Sequence, residues 1–286
     1  MLAYDVIVIG SGPAGISASL YMARANLKVL VISKGIGTLE KVNKIENYYG
    51  LPETLNGAQI QQNGINQAKK LGVKIESDEV VEIKYNNNYE VETVNNVYES
   101  KVVIIATGAS RKTLPIKGIK EFEGRGVSYC ATCDANFFKN RKIAILGSKE
   151  YAFHEAEELK RVTDKITLLT NGEKPTENRT IDIEVEEKNI REFRGINRIE
   201  EVEFEDNSKK KIDGVFVAVG VASSSDLARK VGARIDEKGS IIVNSKMETN
   251  VPNLLACGDC TGGVLQIAKA VYEGMIAGMT AIKIIK

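Results

Sequence analysis

YDVIVIGSGPAG, residues 4–15, gives the clearest indication of the fold. An apolar run, predicted to be a buried strand, leads into a GxGxxG turn, and a helix pattern follows over residues 16–26. The first glycine permits a tight turn, the second lets a pyrophosphate approach the backbone, and the third allows close helix–strand packing. This context predicts a dinucleotide-binding α/β domain, and the alternative is a glycine-rich turn without a ligand.

Length and composition limit the function classes. The chain of 286 residues is long enough for roughly two domains. A net charge of +1 gives no basic face for nucleic acid or for a membrane surface. The N-terminus lacks the basic and apolar regions of a signal peptide, and no apolar run approaches the roughly 18 residues of a membrane span. We expect a cytoplasmic protein with neither a nucleic acid nor a membrane as partner.

Further elements follow the first turn in an order typical of such domains. The second strand is predicted over residues 28–32 and ends in Ser33-Lys34 rather than in the acidic residue that usually holds a ribose. A helix is predicted over residues 57–71 and one long strand over residues 73–83. A later buried strand closes in the small-residue turn Ala106-Thr107-Gly108.

The strand–turn–helix order repeats in the middle of the chain. A strand over residues 142–146 is followed by the turn GSKEYA, residues 147–152, which keeps only its first glycine. The long side chain of Lys149 stands where a backbone would have to touch a pyrophosphate, and Glu150 would repel a phosphate. After the next strand, Thr170-Asn171-Gly172 offers no basic side chain. This unit therefore has a nucleotide-binding pattern with two of its binding features missing.

CATCD, residues 130–134, is predicted to be the chemical centre. At this spacing two sulfurs can close a small disulfide ring on the first turn of a helix, where free N–H groups and the helix dipole would stabilise a thiolate. Asp134 could then relay a proton to the departing thiolate. The alternative is a four-thiolate zinc site with Cys257 and Cys260 as the second pair. A CxxC pair in a predicted cytoplasmic protein favours redox chemistry, and we expect no metal.

Cys257 and Cys260 flank Gly258-Asp259 near the C-terminal helix. Free cysteine is among the most buried residue types, so we predict that these two are packing residues rather than a second redox pair.

The GxGxxG turn, Ala106-Thr107-Gly108, the CATCD segment and Gly258-Asp259 together resemble the low-molecular-weight thioredoxin reductases over nearly the whole chain. The resemblance implies FAD as cofactor, a homodimer, and an α/β fold of two Rossmann-like three-layer domains, the second inserted in the first. The FAD domain would comprise residues 1–113 and 238–286, and the inserted redox-active domain residues 114–237.

The resemblance also implies roles for individual residues. Cys133 would face the flavin, Cys130 would attack the thioredoxin disulfide, and Asp134 would manage the proton. Asn47 would contact the flavin, Asp259 the ribityl chain, and Gln266-Ile267 would place a helix N-terminus by the pyrimidine end of the ring. The implied cofactor-binding residues are Gly10, Ser11, Gly12, Pro13, Ala14, Gly15, Ser33, Lys34, Thr38, Asn47, Val81, Ala106, Thr107, Gly108, Gly258, Asp259, Gln266 and Ile267.

The departures from the family pattern all fall in the inserted domain. In the family this domain binds NADPH with a complete GxGxxA turn and a basic cluster for the 2′-phosphate, and both are absent here. The pattern therefore resembles the ferredoxin-dependent, pyridine-nucleotide-independent thioredoxin reductases of anaerobic bacteria. We expect ferredoxin as electron donor and thioredoxin as acceptor. The alternatives are an NADPH-dependent reductase with an atypical pocket and a flavin redox sensor without turnover.

Overall fold

The computed structural model describes residues 2–34, 37, 39–108, 115–129, 131–176, 181–220 and 222–286. The α-helices in these ranges are α1 (Pro13–Arg24), α2 (Gly57–Lys70), α3 (Ala131–Asp134), α4 (Glu150–Lys160), α5 (Ser224–Lys230) and α6 (Ile267–Ile285). The strands are β1 (Leu2–Ile9), β2 (Val29–Ser33), β3 (Lys74–Ser77), β4 (Val80–Asn86), β5 (Asn88–Thr93), β6 (Val97–Ile105), β7 (Val127–Ser128), β8 (Ile143–Leu146), β9 (Ile166–Leu169), β10 (Glu184–Glu186), β11 (Ile190–Gly195), β12 (Ile199–Phe204), β13 (Lys209–Lys211), β14 (Gly214–Val217) and β15 (Leu254–Ala256). Short 3-10 helices lie at Leu39–Lys41, Ala135–Phe138 and Gly258–Thr261.

The first compact unit comprises residues 1–110 and 223–286. Its sheet has the strand order β3-β2-β1-β6-β5-β4, and β15 also pairs with β6. The pairs among β1, β2, β3, β6 and β15 are parallel, whereas β4, β5 and the first half of β6 form an antiparallel meander. Residues 6–9 of β1 are apolar and buried on both faces of the sheet, as expected for a parallel strand that helices cover.

The second unit comprises residues 111–222. It contains a parallel sheet of order β10-β9-β8-β14-β7 and a separate antiparallel sheet of order β11-β12-β13. Strand β8 leads through a turn into α4, as β1 leads through a turn into α1. The predicted fold class is confirmed, because both units are built on parallel α/β sheets and the second interrupts the first along the chain.

Two boundaries differ from the sequence-based expectation. The chain returns to the first unit at Ser223, before the predicted residue 238. Helix α5 belongs to the first unit because Ser224 Oγ donates a hydrogen bond to the Gly108 carbonyl at 3.4 Å and Lys230 Nζ donates one to the Val81 carbonyl at 3.0 Å.

The second difference concerns the strand predicted over residues 73–83, which is interrupted at Asp78-Glu79. The Asp78 carboxylate accepts hydrogen bonds from Thr93 Oγ1 at 2.7 Å and from Asn95 Nδ2 at 2.9 Å. These bonds fix a corner, so that β3 pairs with β2 while β4 pairs with β5. The alternation of apolar residues in the sequence does not indicate a buried acidic corner of this kind.

Helix α6 packs against α1 through glycines. A Cβ atom at Gly274 would overlap the carbonyl oxygen of Ala14, and one at Gly278 would lie 2.7 Å from the carbonyl oxygen of Ala18. Ser17 Oγ donates a hydrogen bond to the Val271 carbonyl at 2.7 Å, which joins the two helices directly. Within the ranges given above, α6 included, no helix has both the length and the apolar character needed to cross a bilayer.

The glycine contact predicts that Gly274→Ala destabilises the protein, because the new methyl group must displace the backbone of α1. We expect a loss of about 1–3 kcal/mol, the usual cost of overpacking a core. Urea unfolding measures it. Gly64→Ala in α2 is the control, since its Cβ would meet only a methyl group of Ile16 at 3.3 Å. Equal unfolding midpoints for the two variants would contradict the packing described.

Candidate functional site

The first turn forms an open cradle at the start of α1. Gly10 has φ of +112°, and a Cβ there would overlap the Ala106 carbonyl oxygen. A Cβ at Gly15 would overlap the Gly10 carbonyl oxygen, whereas a Cβ at Gly12 would meet no protein atom within 4 Å. Gly12 is the N-cap of α1, where no side chain caps the helix and Pro13 occupies the first position. The N–H groups of this helix end are therefore available to an anion.

Two hydrogen bonds join this turn to the neighbouring elements. Ser11 Oγ donates to Ser33 Oγ at 3.0 Å, which ties the turn to the end of β2. Gln61 Nε2 on α2 donates to the Ser11 carbonyl. Sequence reasoning missed Gln61, because a single polar residue on an amphipathic helix carries no signal that it faces the core.

Gly258 and Asp259 follow β15 and lie beside the first turn. A Cβ at Gly258 would lie 2.8 Å from Cβ of Ala14. Burial raises the pKa of the Asp259 carboxyl group; Glu273 adds to this shift and Lys269 opposes it. The structure thus brings together the two motifs that lie furthest apart in the sequence.

An ion pair on α6 holds this acidic turn. Lys269 Nζ lies 2.9 Å from Glu273 Oε2. The same carboxylate oxygen accepts hydrogen bonds from the Gly258 N–H at 2.9 Å and from Thr261 Oγ1 at 2.8 Å, while Lys269 Nζ donates to the Gly258 carbonyl at 2.8 Å. The pair was missed by sequence reasoning, although its i,i+4 spacing is a recognisable signal on a helix.

Asn47 contacts the residue that precedes α6. Asn47 Nδ2 donates a hydrogen bond to Gln266 Oε1 at 3.3 Å. Gln266 is the N-cap of α6 and Ile267 is its first residue. The loop that carries Asn47 is closed by a bridge between Ile45 and Leu55. Asn47 and Gln266 are 219 positions apart in the chain, so the fold brings together two residues that the family resemblance assigns to the cofactor.

An acidic residue, Glu79, lies beside Lys34 at the end of β2, and the sequence analysis did not predict it. Lys34 Nζ lies 2.6 Å from Glu79 Oε2, and the Glu79 side chain is only 2% exposed. Glu79 occupies the corner between β3 and β4, just before Val81, which is buried in β4.

The turn after β6 lies beside the end of β1. The Ala106 N–H donates a hydrogen bond to the Ile9 carbonyl at 2.8 Å, which sets the turn that contains Thr107 and Gly108 beside β1. Thr38 lies outside the described residues.

The turn of the second unit is closed, in contrast to the first. Ser148 Oγ donates a hydrogen bond to Glu173 Oε2, and the Thr176 N–H donates to the Ser148 carbonyl at 2.8 Å. Thr176 Oγ1 also donates to Glu150 Oε1 at 3.1 Å. Two carboxylates and a strap of backbone, residues 173–176, therefore contact the turn before α4. Lys149 is the N-cap of α4, and its side chain is exposed.

The segment after β9 is held by backbone and side-chain contacts. Asn171 Oδ1 accepts a hydrogen bond from the Ile190 N–H at 2.7 Å, and the Thr170 N–H donates to the Glu186 carbonyl at 3.0 Å. A Cβ at Gly172 would overlap the side chain of Asn189. Thr170, Asn171 and Gly172 therefore form a tight corner against β10 and the chain that follows it. None of the three carries a positive charge.

The redox segment is fixed at both ends. Cys130 and the side chain of Cys133 lie outside the described residues. The Ala131 N–H, at the start of α3, donates a hydrogen bond to Glu155 Oε2 at 2.8 Å, and Ser128 Oγ donates one to Asp134 Oδ2 at 2.6 Å. The expectation of free N–H groups at this helix start was wrong for Ala131, because α4 supplies a carboxylate partner.

Cys257 and Cys260 are free and buried in the first unit. Cys260 Sγ lies 3.2 Å from the Cys257 carbonyl and 3.3 Å from the Ile105 carbonyl, within reach of an S–H hydrogen bond. Burial raises the pKa of the Cys260 thiol to about 12 and that of Cys257 well above its ordinary value. Both remain protonated at neutral pH, which favours the packing role over thiolate ligation of zinc.

The raised pKa values predict that Cys257 and Cys260 resist alkylation in the folded protein. With iodoacetamide in excess, their modification should stay negligible from pH 7 to 9, because the reactive thiolate forms only above the raised pKa. Both should react fully in urea. Mass spectrometry of peptides measures the modification, and rapid labelling of either cysteine in the native protein at pH 8 would contradict the burial described.

Comparisons with known proteins agree with this geometry. A family model described as pyridine nucleotide-disulphide oxidoreductase matches residues 4–274. The thioredoxin reductase of Listeria innocua serovar 6a is 33% identical, over 99% of this chain and 94% of its own length.

Solved structures give the same result. The atypical thioredoxin reductase of Desulfovibrio vulgaris Hildenborough matches with a TM-score of 0.94 at 33% identity, covering 99% of this chain and 98% of its own. A ferredoxin-flavin thioredoxin reductase of Clostridium acetobutylicum matches with a TM-score of 0.73 at 32% identity and the same coverage.

The first turn fits the cofactor that these comparisons imply, because the space at Gly12 and the uncapped start of α1 can receive the pyrophosphate of FAD. The chain belongs to the pyridine nucleotide-disulphide oxidoreductase family and is a thioredoxin reductase with FAD as its cofactor.

Proposed function

We propose that this flavoprotein takes its electrons from reduced ferredoxin and passes them through the Cys130/Cys133 disulfide to thioredoxin. Two reduced ferredoxins each give one electron, two protons come from solvent, and one thioredoxin disulfide becomes a dithiol. The choice of ferredoxin as electron donor rests on one observation, the closed turn before α4. The matched ferredoxin-flavin thioredoxin reductase supports it by its name.

The closed turn disfavours a pyridine nucleotide for both steric and electrostatic reasons. A pyrophosphate must approach the backbone of the turn, where residues 173–176 are already hydrogen-bonded to Ser148. Glu150 and Glu173 add negative charge at the position where a phosphate would lie. The corner at Thr170, Asn171 and Gly172 offers no guanidinium for a 2′-phosphate. The alternative, an NADPH-dependent reductase, would require the strap to leave the turn.

The chain's own residues have separate tasks in this scheme. Bound FAD supplies the conversion between single electrons and an electron pair. Cys130 attacks the thioredoxin disulfide, and Cys133 then attacks the mixed disulfide and releases reduced thioredoxin. Asp134, held by the Ser128 hydroxyl at 2.6 Å, supplies the proton to the leaving thiolate. Gly12, Asn47, Asp259 and Gln266 are among the residues that we assign to FAD.

We further propose a cytoplasmic homodimer. The reducing cytosol suits a catalytic dithiol, since permanent disulfides are rare there. The family resemblance implies the dimer. A groove between α1 and α2, lined by Leu20, Tyr21, Arg24 and Leu71 among others, includes the exposed side chains of Tyr21 and Leu71, which a second subunit would cover.

The open cradle predicts that Gly12→Ala weakens FAD binding without harming the fold. The added methyl group meets no protein atom but occupies the space that we assign to the pyrophosphate. We expect at least a tenfold loss of FAD affinity and an unchanged melting temperature of the protein stripped of FAD. Flavin absorbance after gel filtration measures retention. Full retention of FAD by Gly12→Ala would contradict the assignment of this turn.

The proposed electron donor predicts the outcome of anaerobic rapid mixing. Reduced ferredoxin should bleach the flavin absorbance at catalytically useful rates, whereas NADPH at millimolar concentration should not. Cys130→Ser should still show flavin reduction by ferredoxin but should not reduce thioredoxin, because the attacking thiol is missing. Flavin reduction by NADPH as fast as turnover would favour the NADPH-dependent alternative.

The variant Lys149→Gly tests, in the same experiment, whether the Lys149 side chain or the strap excludes NADPH. We expect it to leave the protein unresponsive to NADPH, because Glu173 and Thr176 still contact Ser148. If Lys149→Gly alone allowed reduction by NADPH, the strap would not be the obstacle.

A further inference from the structure

A buried amide on α2 contacts the first turn. Gln61 is 7% exposed, and its Nε2 donates a hydrogen bond to the Ser11 carbonyl. Gln61 lies one helical turn before Gly64, where a Cβ would meet a methyl group of Ile16 in α1 at 3.3 Å. Residues three apart share a face of a helix, so Gln61 belongs to the face of α2 that packs on α1.

The position of Gln61 is one that a small or apolar residue would ordinarily fill. The other buried residues of α2 are Gly57 and Ala68, which lie on the same stripe of the helix. A buried amide destabilises the folded protein unless it is hydrogen-bonded. The Ser11 carbonyl supplies such a bond for Nε2, so the role of Gln61 depends on the peptide group that it holds.

That peptide group joins Ser11 to Gly12. It is trans, and in a planar trans peptide the C=O and the N–H point in opposite directions. Because Gln61 holds the carbonyl, the Gly12 N–H points away from Gln61. Gln61 therefore fixes the direction of one N–H group of the open turn.

The Gly12 N–H is important because the start of α1 has few donors. The first N–H groups of a helix have no partner within it and can bind an anion. Pro13, at the beginning of α1, has no N–H. The nearest donors are then those of Gly12, Ala14 and Gly15, so the direction of each matters more than in a turn without proline.

We propose that Gln61 is a positioning residue for FAD: by holding the Ser11 carbonyl, it directs the Gly12 N–H toward the pyrophosphate. The inference rests on the proposed assignment of the first turn to the pyrophosphate. It adds a residue of α2, outside the glycine motif, to the determinants of FAD affinity.

The test compares Gln61→Met with Gln62→Met, both purified with FAD. Methionine is similar to glutamine in length but has no N–H donor. Gln62 is the matched control, since it is exposed on the same helix and donates a hydrogen bond to Asn66 Oδ1 at 2.9 Å. Release of FAD from the diluted holoenzyme, followed by flavin fluorescence, gives the Kd. The ³¹P NMR spectrum of the bound FAD reports the hydrogen bonds to its phosphates.

We expect Gln61→Met to lose about tenfold in FAD affinity, the effect of weakening one hydrogen bond to a charged group. A phosphorus resonance of the bound FAD should also shift, which the loss of a merely structural contact would not cause. Gln62→Met should match the wild type in both measurements. A wild-type Kd or an unchanged ³¹P spectrum in Gln61→Met would overturn the proposal.

A second comparison tests whether Gln61 acts through Gly12. In the Gly12→Ala background we expect Gln61→Met to cause little further loss of affinity, because residues that act through one contact are not additive. A full tenfold further loss would overturn the proposal. If Gly12→Ala alone bound FAD as tightly as the wild type, the assignment of the first turn would fail instead.

Gln61→Glu keeps the shape of the side chain and serves if Gln61→Met does not fold. An ionised carboxylate cannot donate to the Ser11 carbonyl, so at pH 8 we expect a loss of affinity of at least the same size and the same change in the ³¹P spectrum. Wild-type values in Gln61→Glu would also overturn the proposal.

Discussion

The first unit depends on the contact of α6 with the backbone of α1 at Ala14. Glycine at position 274 is required because any side chain would overlap the Ala14 carbonyl, and glycine at position 258 brings the acidic turn against the same residue. The Lys269–Glu273 pair then holds that turn from α6. Residues from the two ends of the sequence therefore form one site. The first turn, residues 10–15, would not form that site alone.

The two units show how one topology can carry an open turn and a closed one. In each, a buried parallel strand leads through a turn into a helix, and the first glycine of the turn packs against the neighbouring strand end. The turns differ at their second glycine position. Gly12 faces open space, whereas Lys149 lies in a turn that Glu173 and Thr176 cover. The open and the closed turn therefore differ by a strap and two carboxylates, without a change of fold.

Much of the fold could be predicted from the sequence, because local patterns determine it. Apolar runs, glycine spacing and helical periodicity indicated β1, α1, β8 and α4 and the repeated strand–turn–helix order. The hydrogen bond of Asn47 with Gln266 was not predicted, because the resemblance assigned each residue to the flavin and not to the other. The return of the chain at Ser223 was missed because α5 is joined to the first unit by hydrogen bonds to carbonyls distant in the chain.

The remainder of the site depends on partners far apart in the chain. Glu79 contacts Lys34 across 45 positions, and Glu155 contacts Ala131 across 24. Periodicity shows that such residues lie on a buried face but not which backbone group they meet. A buried carboxylate needs a hydrogen-bond partner. The structure identifies that partner, and so shows which backbone or side-chain group the carboxylate fixes.

The proposed electron donor requires that the turn before α4 does not bind a pyridine nucleotide. Calorimetric titration of the oxidised holoenzyme with NADP⁺ and NADPH tests it most directly, since binding is measured without any electron transfer. We expect no saturable heat up to millimolar nucleotide. A saturable isotherm with a Kd in the micromolar range would contradict it.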